Sequence, residues 1–499
     1  MPGNTAIEVR VTTATLPAHD PLELYVRLRD ALPADDVFLF ENINGPGQDR
    51  SSAVVGHGRL CEIRVYAGHV EIDGVPALTE ALVALAQDAG LSPGLEFTEP
   101  DRVWELLSAA QRLFAVESDI PVTEYAFGFL TTLSYESAWH METLPPRTKA
   151  PRCPDITLTL FRDTVWYDPE SGSVRHLTAR SRHFAASADV ACATFARDAA
   201  AAGPAFVPEA DAPRSVHDTL DRATFLKWAE QCLEHIRVGD IYQIQIGHRI
   251  DVETALTPVD VYRRLRHRNP SPHMYLLPRA GLTPDGDGDG AALIGASPEL
   301  FFRVVGDEIV MRPIAGTARR GADESENERR VKELRESTKE QAEHIMLVDL
   351  CRNDVGRVSR PSTQPVDRLM AVESFSHVFH LVSTVAGTLE ERVDTWEAVR
   401  ATFPAGTMTG APKIRAMEII DGLEREARGN YAGAVGLVDV RGWSELALCI
   451  RTVEYDGRRY TTQSSAGLVA QSLPESEWLE TLVKMGAAYW ALTGEELLS

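Results

Sequence analysis

The sequence predicts an α+β protein, and three observations lead to that class. Strand-like runs such as residues 53–58 and 61–65 recur through the first part of the chain, up to about residue 200. Segments with helical spacing of apolar residues lie between those runs. The chain has 499 residues and 44% hydrophobic content, so it can bury an extensive core and is long enough for two or more packing units.

Composition and charge exclude several classes of protein. The sequence holds 50 basic and 73 acidic residues, and this net charge of −23 opposes binding to nucleic acid or to anionic membranes. No apolar run is long enough to span a membrane, and residues 1–20 lack the basic and apolar regions of a secretory signal. We therefore expect a cytoplasmic protein that binds any anionic substrate through a local group of cationic side chains.

Six cysteines are spread along the chain without a CxxC pair or a regular spacing. This distribution favours reduced structural thiols over a zinc site or a disulfide framework.

Residues 201–215 are rich in alanine, proline and acidic residues and have no period, as expected for a linker. We place an N-terminal domain at residues 1–205, a linker at 206–216 and a C-terminal domain at 217–499. The C-terminal part then opens with the pattern of a helix over about 222–238.

The sequence also predicts the structure of two further segments of the C-terminal part. A strand is predicted over 240–246. The acidic run 285–290 is interpreted as a hairpin connection, because position twelve of a calcium loop that begins at Asp285 would be Ala296 and not glutamate.

Two charged helices each carry a pair of glutamates spaced i and i+3, so each pair lies on one helix face. The helices are predicted over about 326–351 and 474–492. The pairs are Glu340 with Glu343, and Glu477 with Glu480, and Lys484 follows the second pair. On most surface helices such a pair is a solvated acidic patch. If the two helices converge, however, their carboxylates suit one hard cation, for which Mg²⁺ is the best candidate.

The stretch 402–420 joins a turn of small residues to an amphipathic helix. Pro412 near the first helical turn sets φ without losing a hydrogen-bond donor, and the positive end of the helix dipole favours an anion. Its string FPAGTMTGAPKIRAMEII resembles the signature of the large, chorismate-binding subunit of anthranilate synthase. The relatives of that subunit are the aminodeoxychorismate, isochorismate and salicylate synthases. The resemblance implies an α+β fold in which two β-sheets pack as a sandwich with surrounding helices.

Shorter strings extend the resemblance over residues from about 220 to 495. They are GDIYQ at 239–243, SPELF at 297–301, PIAGT at 313–317 and HLVS at 380–383, followed by segments 429–436 and 447–452. Residues 36–42 resemble only in part the strand of the family's tryptophan feedback site, with Phe40 in place of leucine and Asn42 in place of serine. An ordinary buried strand is an equal interpretation of that segment.

The resemblance assigns proton transfer to three residues. In SPELF, Glu299 is the general acid that protonates the departing C4 hydroxyl of chorismate, because hydroxide is a poor leaving group and burial raises the pKa of a glutamate. In HLVS, His380 handles a proton at or after amination, and the nearby His377 is structural. Thr407, in the turn of the 402–420 stretch, is expected to be catalytic as well.

Two residues select among the reactions of the family. Relatives that add water to chorismate carry a lysine base at the position of Gln243, and glutamine cannot act as that base at neutral pH. Aminodeoxychorismate synthases place a nucleophilic lysine at the position of Ala315, and alanine cannot form that covalent bond. The resemblance therefore implies direct attack of ammonia at C2.

Substrate and metal contacts are implied in the same way. Tyr431 and Arg451 bind the enolpyruvyl carboxylate, which the planar guanidinium of an arginine can pair bidentately. Segment 463–467 matches QAGAG only in part, with Ser465 where the family has glycine. All four glutamates surround Mg²⁺, some through water, and the ion holds the ring carboxylate while Lys484 adds a positive charge. The expected substrate-binding residues are Gln243, Ala315, Thr317, Tyr431, Arg451, Ser465, Ala466, Gly467 and Lys484.

We expect a Mg²⁺-dependent enzyme that aminates chorismate at C2, loses the C4 hydroxyl and eliminates pyruvate to give anthranilate. The alternative, left open by Asn42 and Ser465, retains the enolpyruvyl group and releases 2-amino-2-deoxyisochorismate in specialised metabolism. An aminodeoxychorismate synthase and a non-catalytic paralogue that binds the metabolite are less favoured. No cysteine stands in the Gly-x-Cys-x-Gly setting of glutamine amidotransferases, so ammonia is expected from a separate subunit. Homo- and hetero-oligomers both remain open.

Overall fold

The computed structural model describes residues 6–43, 52–184, 191–203, 206–279, 290–361, 366–375 and 378–498. Its strands, β1 to β22 in chain order, are Ile7–Leu16, Val37–Glu41, Ala53–Val65, Val70–Gly74, Phe114–Glu117, Gly128–Leu133, Ile156–Tyr167, Val174–Arg180, Ser215–Asp218, Gln243–Glu253, His273–Pro278, Ala292–Ser297, Leu300–Val305, Glu308–Met311, Ile314–Arg319, Val366–Ser374, Val378–Thr388, Gly410–Ala411, Ala434–Asp439, Ser444–Leu448, Thr452–Tyr455 and Tyr460–Leu468. Its helices, α1 to α11, are Pro21–Ala31, Pro76–Asp88, Asp101–Arg112, Cys192–Ala200, Arg222–Arg237, Pro258–Arg268, Glu324–Glu336, Thr338–Gly356, Thr395–Thr402, Lys413–Leu423 and Pro474–Thr493.

The strands form two arms that meet at the long strands β3 and β7, which pair with each other along their length. From β3 the first arm runs through β2, β11, β12, β21, β22 and β10. From β7 the second arm runs through β6, β19, β20, β13, β14 and β17, and β15 and β16 both pair with β17. The predicted sheets are therefore continuous with each other through β3 and β7.

A compact apolar cluster packs the two arms face to face. Phe38, Tyr275 and Leu293 from the first arm contact Leu130 and Val435 from the second arm in this cluster. Helices cover the outer faces, where α2 and α3 contribute to one large core and α1, α4, α6 and α11 contribute to another. The predicted α+β sandwich with surrounding helices is confirmed. None of the described helices combines the length and the apolar content that crossing a membrane would require.

Strands from both sides of the predicted linker pair with each other. Strand β2 pairs with β11, and β6 pairs with β19, so the N-terminal and C-terminal segments share the sheets. The linker itself contains the start of β9, which pairs with β10. The division at residues 206–216 stays a prediction, and these pairings mean that the two segments bury strand edges against each other.

The predicted helix over 326–351 is wrong in one respect, because the structure has two helices there. Helix α7 ends at Glu336 and α8 begins at Thr338. Ser337 between them has an extended ψ of 106°, and its hydroxyl accepts a hydrogen bond from the backbone N–H of Glu340. A serine in that conformation caps a new helix and does not continue the previous one. The predicted helices over 222–238 and 474–492 agree with α5 and α11 within one residue at each end.

The 402–420 stretch forms a short 3-10 turn at Gly406–Met408, the strand β18 and helix α10. Strand β18 pairs with the start of β10, which fixes the turn beside the first arm. Pro412 is the N-cap of α10, one residue before the position expected for it. As a result, the turn and not the helix N-terminus reaches the functional cavity described below.

Candidate active site

A cavity of about 240 Å³ lies between the ends of the two arms. Strands β10 and β22 of the first arm and β15 and β17 of the second arm line it, and helices α8 and α11 contribute side chains to its wall. Most residues predicted for the site are brought together here. The predicted residues that line the cavity are Gln243, Glu299, Ala315, Thr317, Glu343, His380, Thr407, Tyr431, Arg451, Ser465, Gly467, Glu477, Glu480 and Lys484.

Two predicted residues do not line the cavity. Ala466 is fully buried and alternates with Ser465 and Gly467 along β22, so its side chain lies on the opposite face of the strand. Glu340 lies at the edge of the site, where its Oε2 would be 3.1 Å from a Cβ added to Gly316. The predicted structural residue His377 and the acidic loop, except Gly290, lie outside the described residues.

Glu299 lies in the connection between β12 and β13 and is 8% exposed. Burial raises the pKa of its carboxyl to about 8, although the Thr407 hydroxyl, the backbone at Ile314 and two nearby cations each oppose the rise. The carboxyl is therefore mostly protonated at neutral pH. A protonated carboxyl facing a cavity is a proton donor, which is the property that the predicted general acid requires.

His380 projects from β17 toward β15. Its Nδ1 is 3.0 Å from Thr317 Oγ1 and 3.1 Å from the backbone oxygen of Gly316. Because the carbonyl can only accept, Nδ1 carries the hydrogen and the other ring nitrogen, Nε2, is an acceptor. Burial lowers the pKa of the imidazole to about 4, so the ring is neutral at pH 7 and its Nε2 can accept a hydrogen bond.

A cationic and hydroxyl-lined wall faces Glu299. Arg451 has φ +52° and, among the described residues, its guanidinium forms no ion pair. Burial lowers the pKa of this guanidinium, although the nearby Tyr431, Glu480 and Glu299 each oppose the fall. Lys484 Nζ donates to the backbone oxygen of Ser465 at 2.9 Å and lies 2.6 Å from Glu480 Oε1. The hydroxyl oxygens of Tyr431 and Ser465 are 2.5 Å apart. This wall can bind a carboxylate.

The glutamates of α8 and α11 face each other across one end of the cavity. Burial raises the pKa of Glu343, and the carboxylates of Glu340 and Glu480 raise it further. Burial and the charge of Glu480 likewise raise the pKa of Glu477, whereas for Glu480 the neighbouring Lys484 outweighs burial and lowers the pKa. Glu477 Oε2 is buried and has no hydrogen-bond partner among the described residues. The two predicted pairs therefore converge, and like charges in this arrangement favour a cation.

The carboxylates are arranged more openly than a closed metal cage. Among the described residues, no three of these glutamates bring ligand oxygens within 4.8 Å of one another. Mg²⁺ commonly keeps several waters and binds proteins through few direct carboxylate ligands. The residues present thus fit a hydrated Mg²⁺ that is shared with an anionic ligand.

Several lining residues were missed from the sequence. They are Gln245, Pro298, Ile314, Gly316, Lys339, Met346, Leu347, Met408, Ile450, Gln463, Ser464 and Val469. Gln245 follows Gln243 by two positions on β10, so strand alternation alone places both on one face. Lys339 precedes the first glutamate pair on α8, and its Nζ is 3.6 Å from Glu343 Oε1.

The strand Val37–Glu41 is buried as predicted and borders a separate cavity of about 340 Å³ that includes Phe40 and Glu41.

Comparison with known proteins places the chain in a family. The sequence pattern of the family described as chorismate binding enzyme matches residues 79–489. The protein belongs to this chorismate binding enzyme family. The chain is therefore a chorismate-binding enzyme of the anthranilate synthase or aminodeoxychorismate synthase type.

Relatives within this family are similar over almost the whole chain. A 2-amino-4-deoxychorismate synthase of Streptomyces globisporus is 44% identical over 98% of this chain and 98% of its own length. Anthranilate synthase component 1 of Streptomyces coelicolor is 38% identical over 97% of this chain and 93% of its own length. The crystal structure of anthranilate synthase component I from Streptococcus pneumoniae superposes with a TM-score of 0.67 at 28% identity, covering 88% of this chain and 92% of that one.

Proposed function

We propose that this chain catalyses a Mg²⁺-dependent amination of chorismate at C2 with loss of the C4 hydroxyl. The observation that carries the proposal is the buried, protonated Glu299, which faces a wall that holds the unpaired guanidinium of Arg451. Ala315 in the wall of the same cavity has no amine that could attack C2. A free amine from solution or from a partner must therefore supply the nitrogen.

The bonds that form and break follow from this arrangement. Ammonia forms a bond to C2, the two conjugated ring double bonds each shift by one position to C1=C6 and C4=C5, and the C4–O bond breaks. The proton from Glu299 passes to the departing oxygen, which leaves as water. The proton that the attacking nitrogen must lose passes to solvent, and Nε2 of the neutral His380 ring accepts a hydrogen bond from that nitrogen. Arg451 and Lys484 neutralise the carboxylates of the substrate throughout.

Mg²⁺ would be held by Glu343, Glu477 and Glu480, with Glu340 at the edge, some of them through water. When bound, the ion withdraws electron density from the ring through the ring carboxylate. The support for this assignment is the convergence of the four carboxylates and the unpartnered Glu477 oxygen.

We infer that the enolpyruvyl group is retained, so that the product is 2-amino-4-deoxychorismate. This compound has the same substituents as the 2-amino-2-deoxyisochorismate considered from the sequence. The most extensive match reported above carries that product in its name, and Ser465 engages the Tyr431 hydroxyl. A tyrosine held by Ser465 fixes the wall at which the enolpyruvyl carboxylate would bind. Anthranilate is the second candidate product, favoured by the similarity to the two anthranilate synthase components.

An amidotransferase subunit is proposed as the source of ammonia. All six cysteines are buried, none is disulfide-bonded and none lines the chorismate cavity, so none is placed to attack glutamine there.

The test is an incubation of the purified chain with chorismate, Mg²⁺ and ammonium chloride, followed by separation and mass analysis. We expect an aminated product that retains the enolpyruvyl group, with no pyruvate detected by coupling to lactate dehydrogenase. Anthranilate with an equal amount of pyruvate would establish the second candidate. Absence of both aminated products refutes the proposal, and isochorismate formed without ammonium refutes the interpretation of Gln243.

The Ser465→Gly variant separates the two products. We expect it to raise the fraction of turnover that releases pyruvate, because it frees the Tyr431 hydroxyl. Thr461→Ser on the same strand is the matched control, since Thr461 bonds Asp251 and does not line the cavity. Equal pyruvate fractions in the wild type and the Ser465→Gly variant would show that this hydrogen bond does not determine the product.

A further inference from the structure

A second group of metal-binding side chains lies outside the chorismate cavity, in the N-terminal half of the chain. His57 is on β3, His176 is on β8 and Cys192 is the first residue of α4. One ring nitrogen of each histidine and the cysteine sulfur all lie within 4.8 Å of one another. Within the described ranges, no other three histidine, cysteine, aspartate or glutamate side chains come that close together.

The sheet fixes the relative positions of these side chains. In the register of β3 and β7, His57 lies opposite Asp163, and in that of β7 and β8, Asp163 lies opposite Thr178. His176 precedes Thr178 by two residues, so it projects from the same face. The two imidazole rings are stacked with centroids 6.0 Å apart. Cys192 reaches this face from the helix that covers it, so three separate elements meet at one point.

His57 has no hydrogen-bond partner although it is only 1% exposed. Both of its ring nitrogens are buried and unpaired among the described residues. The nearest carboxylate oxygen, Asp163 Oδ2, is 4.0 Å from Nδ1, which is too far for a hydrogen bond. An unpaired buried polar group destabilises a fold by about 1–3 kcal/mol, so native proteins rarely keep one without a compensating ligand.

Asp163 is positioned to orient the second histidine. Its Oδ1 is 3.1 Å from His176 Nε2 and accepts a hydrogen bond from the Thr178 hydroxyl at 2.8 Å. Its other oxygen accepts from Arg162 Nε at 2.6 Å. A carboxylate that fixes a histidine ring is the usual support of a protein metal ligand. Arg162 neutralises this carboxylate, so the anionic ligand of the group is the cysteine sulfur.

We propose that His57, His176 and Cys192 bind a structural Zn²⁺ ion. Two imidazoles and a thiolate form a mixed nitrogen and sulfur set that suits zinc and not the oxygen-seeking Mg²⁺. Zinc bonds of about 2.0–2.3 Å to the three atoms are compatible with their mutual separation. The fourth position falls to a water molecule, because both oxygens of Asp163 are already engaged by His176, Thr178 and Arg162. The ion joins helix α4, which precedes the predicted linker, to the N-terminal sheet.

The first test measures metal content and a spectrum. The full chain, purified in Mg²⁺ buffer, is expected to retain one zinc per chain by mass spectrometric metal analysis. Replacement with CoCl2 is expected to give the near-ultraviolet absorption of a thiolate bound to cobalt. The carboxylate site in the chorismate cavity has no sulfur ligand, so cobalt bound there cannot produce this absorption.

Variants test whether the zinc and the cobalt–thiolate absorption come from the group of His57, His176 and Cys192. Cys192→Ser is expected to lower the zinc content at least ~10-fold and to abolish the thiolate absorption. Cys232→Ser is the matched control, because Cys232 is also a buried helical cysteine, lies in a different core and should leave both signals unchanged. The chelator-treated wild type should unfold at a lower temperature and regain its Tm when ZnCl2 is added.

Two outcomes overturn the proposal. One is a wild-type protein that shows no thiolate absorption with cobalt and holds no more zinc than Cys192→Ser. The other is a thiolate signal that disappears in Cys232→Ser and persists in Cys192→Ser. If Cys192→Ser does not fold, His57→Gln takes its place. The wild-type cobalt spectrum and zinc content are then compared with those of His57→Gln, and equal zinc content in the two proteins overturns the proposal. None of these measurements depends on turnover of chorismate.

Discussion

Replacing Glu299 by glutamine tests the central assignment of the site. Glutamine has nearly the same shape but cannot donate the proton that the departing hydroxyl needs. Because general acids contribute about 10²- to 10⁴-fold to a rate, we expect Glu299→Gln to lower kcat at least ~100-fold with little change in chorismate binding. The wild-type rate should also fall above about pH 8, as the carboxyl of pKa about 8 loses its proton.

We also expect Glu299→Gln to change how the free energy of unfolding depends on pH. The folded-state pKa of Glu299, about 8, is above the ordinary value of 4.5, so the folded protein holds this proton more tightly than the unfolded chain does. The stabilisation from this proton is complete below about pH 4.5 and is lost as the pH rises through 8. Between pH 4.5 and pH 7 this loss amounts to about 3 kcal/mol, at about 1.36 kcal/mol per pKa unit. Glutamine does not titrate, so Glu299→Gln should gain that amount over the wild type across the interval.

Denaturant unfolding of both proteins at the two pH values measures the effect. Glu454→Gln is a control of opposite sign. Burial would raise the pKa of Glu454, but Arg279 and Arg152 outweigh burial and lower it. Its charge therefore stabilises the fold at neutral pH and loses that contribution on acidification. The reasoning about Glu299 is refuted if Glu299→Gln retains turnover within a few-fold, or if its stability relative to the wild type is the same at both pH values.

Three further substitutions test the other parts of the site. Arg451→Lys should raise KM for chorismate about tenfold or more while kcat changes less, because lysine keeps the charge but loses the planar fork. An unchanged KM in steady-state kinetics would show that Arg451 does not bind a carboxylate of the substrate. Glu480→Gln should raise the Mg²⁺ concentration needed for half-maximal rate about tenfold, and a metal titration with the wild-type midpoint would contradict the proposed cation site. Gln243→Lys should allow isochorismate to form without ammonium, and product analysis showing none would mean that position 243 alone does not select water.

Much of the candidate site could be predicted because its residues lie in short, continuous segments of the sequence. Ser297–Glu299 and the 402–420 stretch keep their residues together in space as well as in sequence, and both reach the cavity. Helical and strand periods account for the glutamate pairs and for Gln245 beside Gln243. The same period also explains Ala466, which cannot share a face with both of its neighbours in β22.

Other features arise from contacts that no local pattern contains. The break at Ser337 depends on a side-chain cap that competes with continuation of the helix. The two sheets are continuous because the long strands β3 and β7 pair with each other and each also belongs to one arm. The spacing of the cysteines could not show that Cys192 lies beside His57 and His176, because these two residues come from distant strands.

The sequence by itself determined the fold class, the family resemblance and the choice of candidate site residues, because these depend on residue type and short-range spacing. Only the tertiary structure decided the proton affinity of Glu299, the convergence of the glutamates on α8 and α11, and the meeting of His57, His176 and Cys192. Each of these depends on burial or on distances between segments far apart in the chain. Desolvation and charge coupling act through space, so they are fixed only when the two arms and their covering helices pack together.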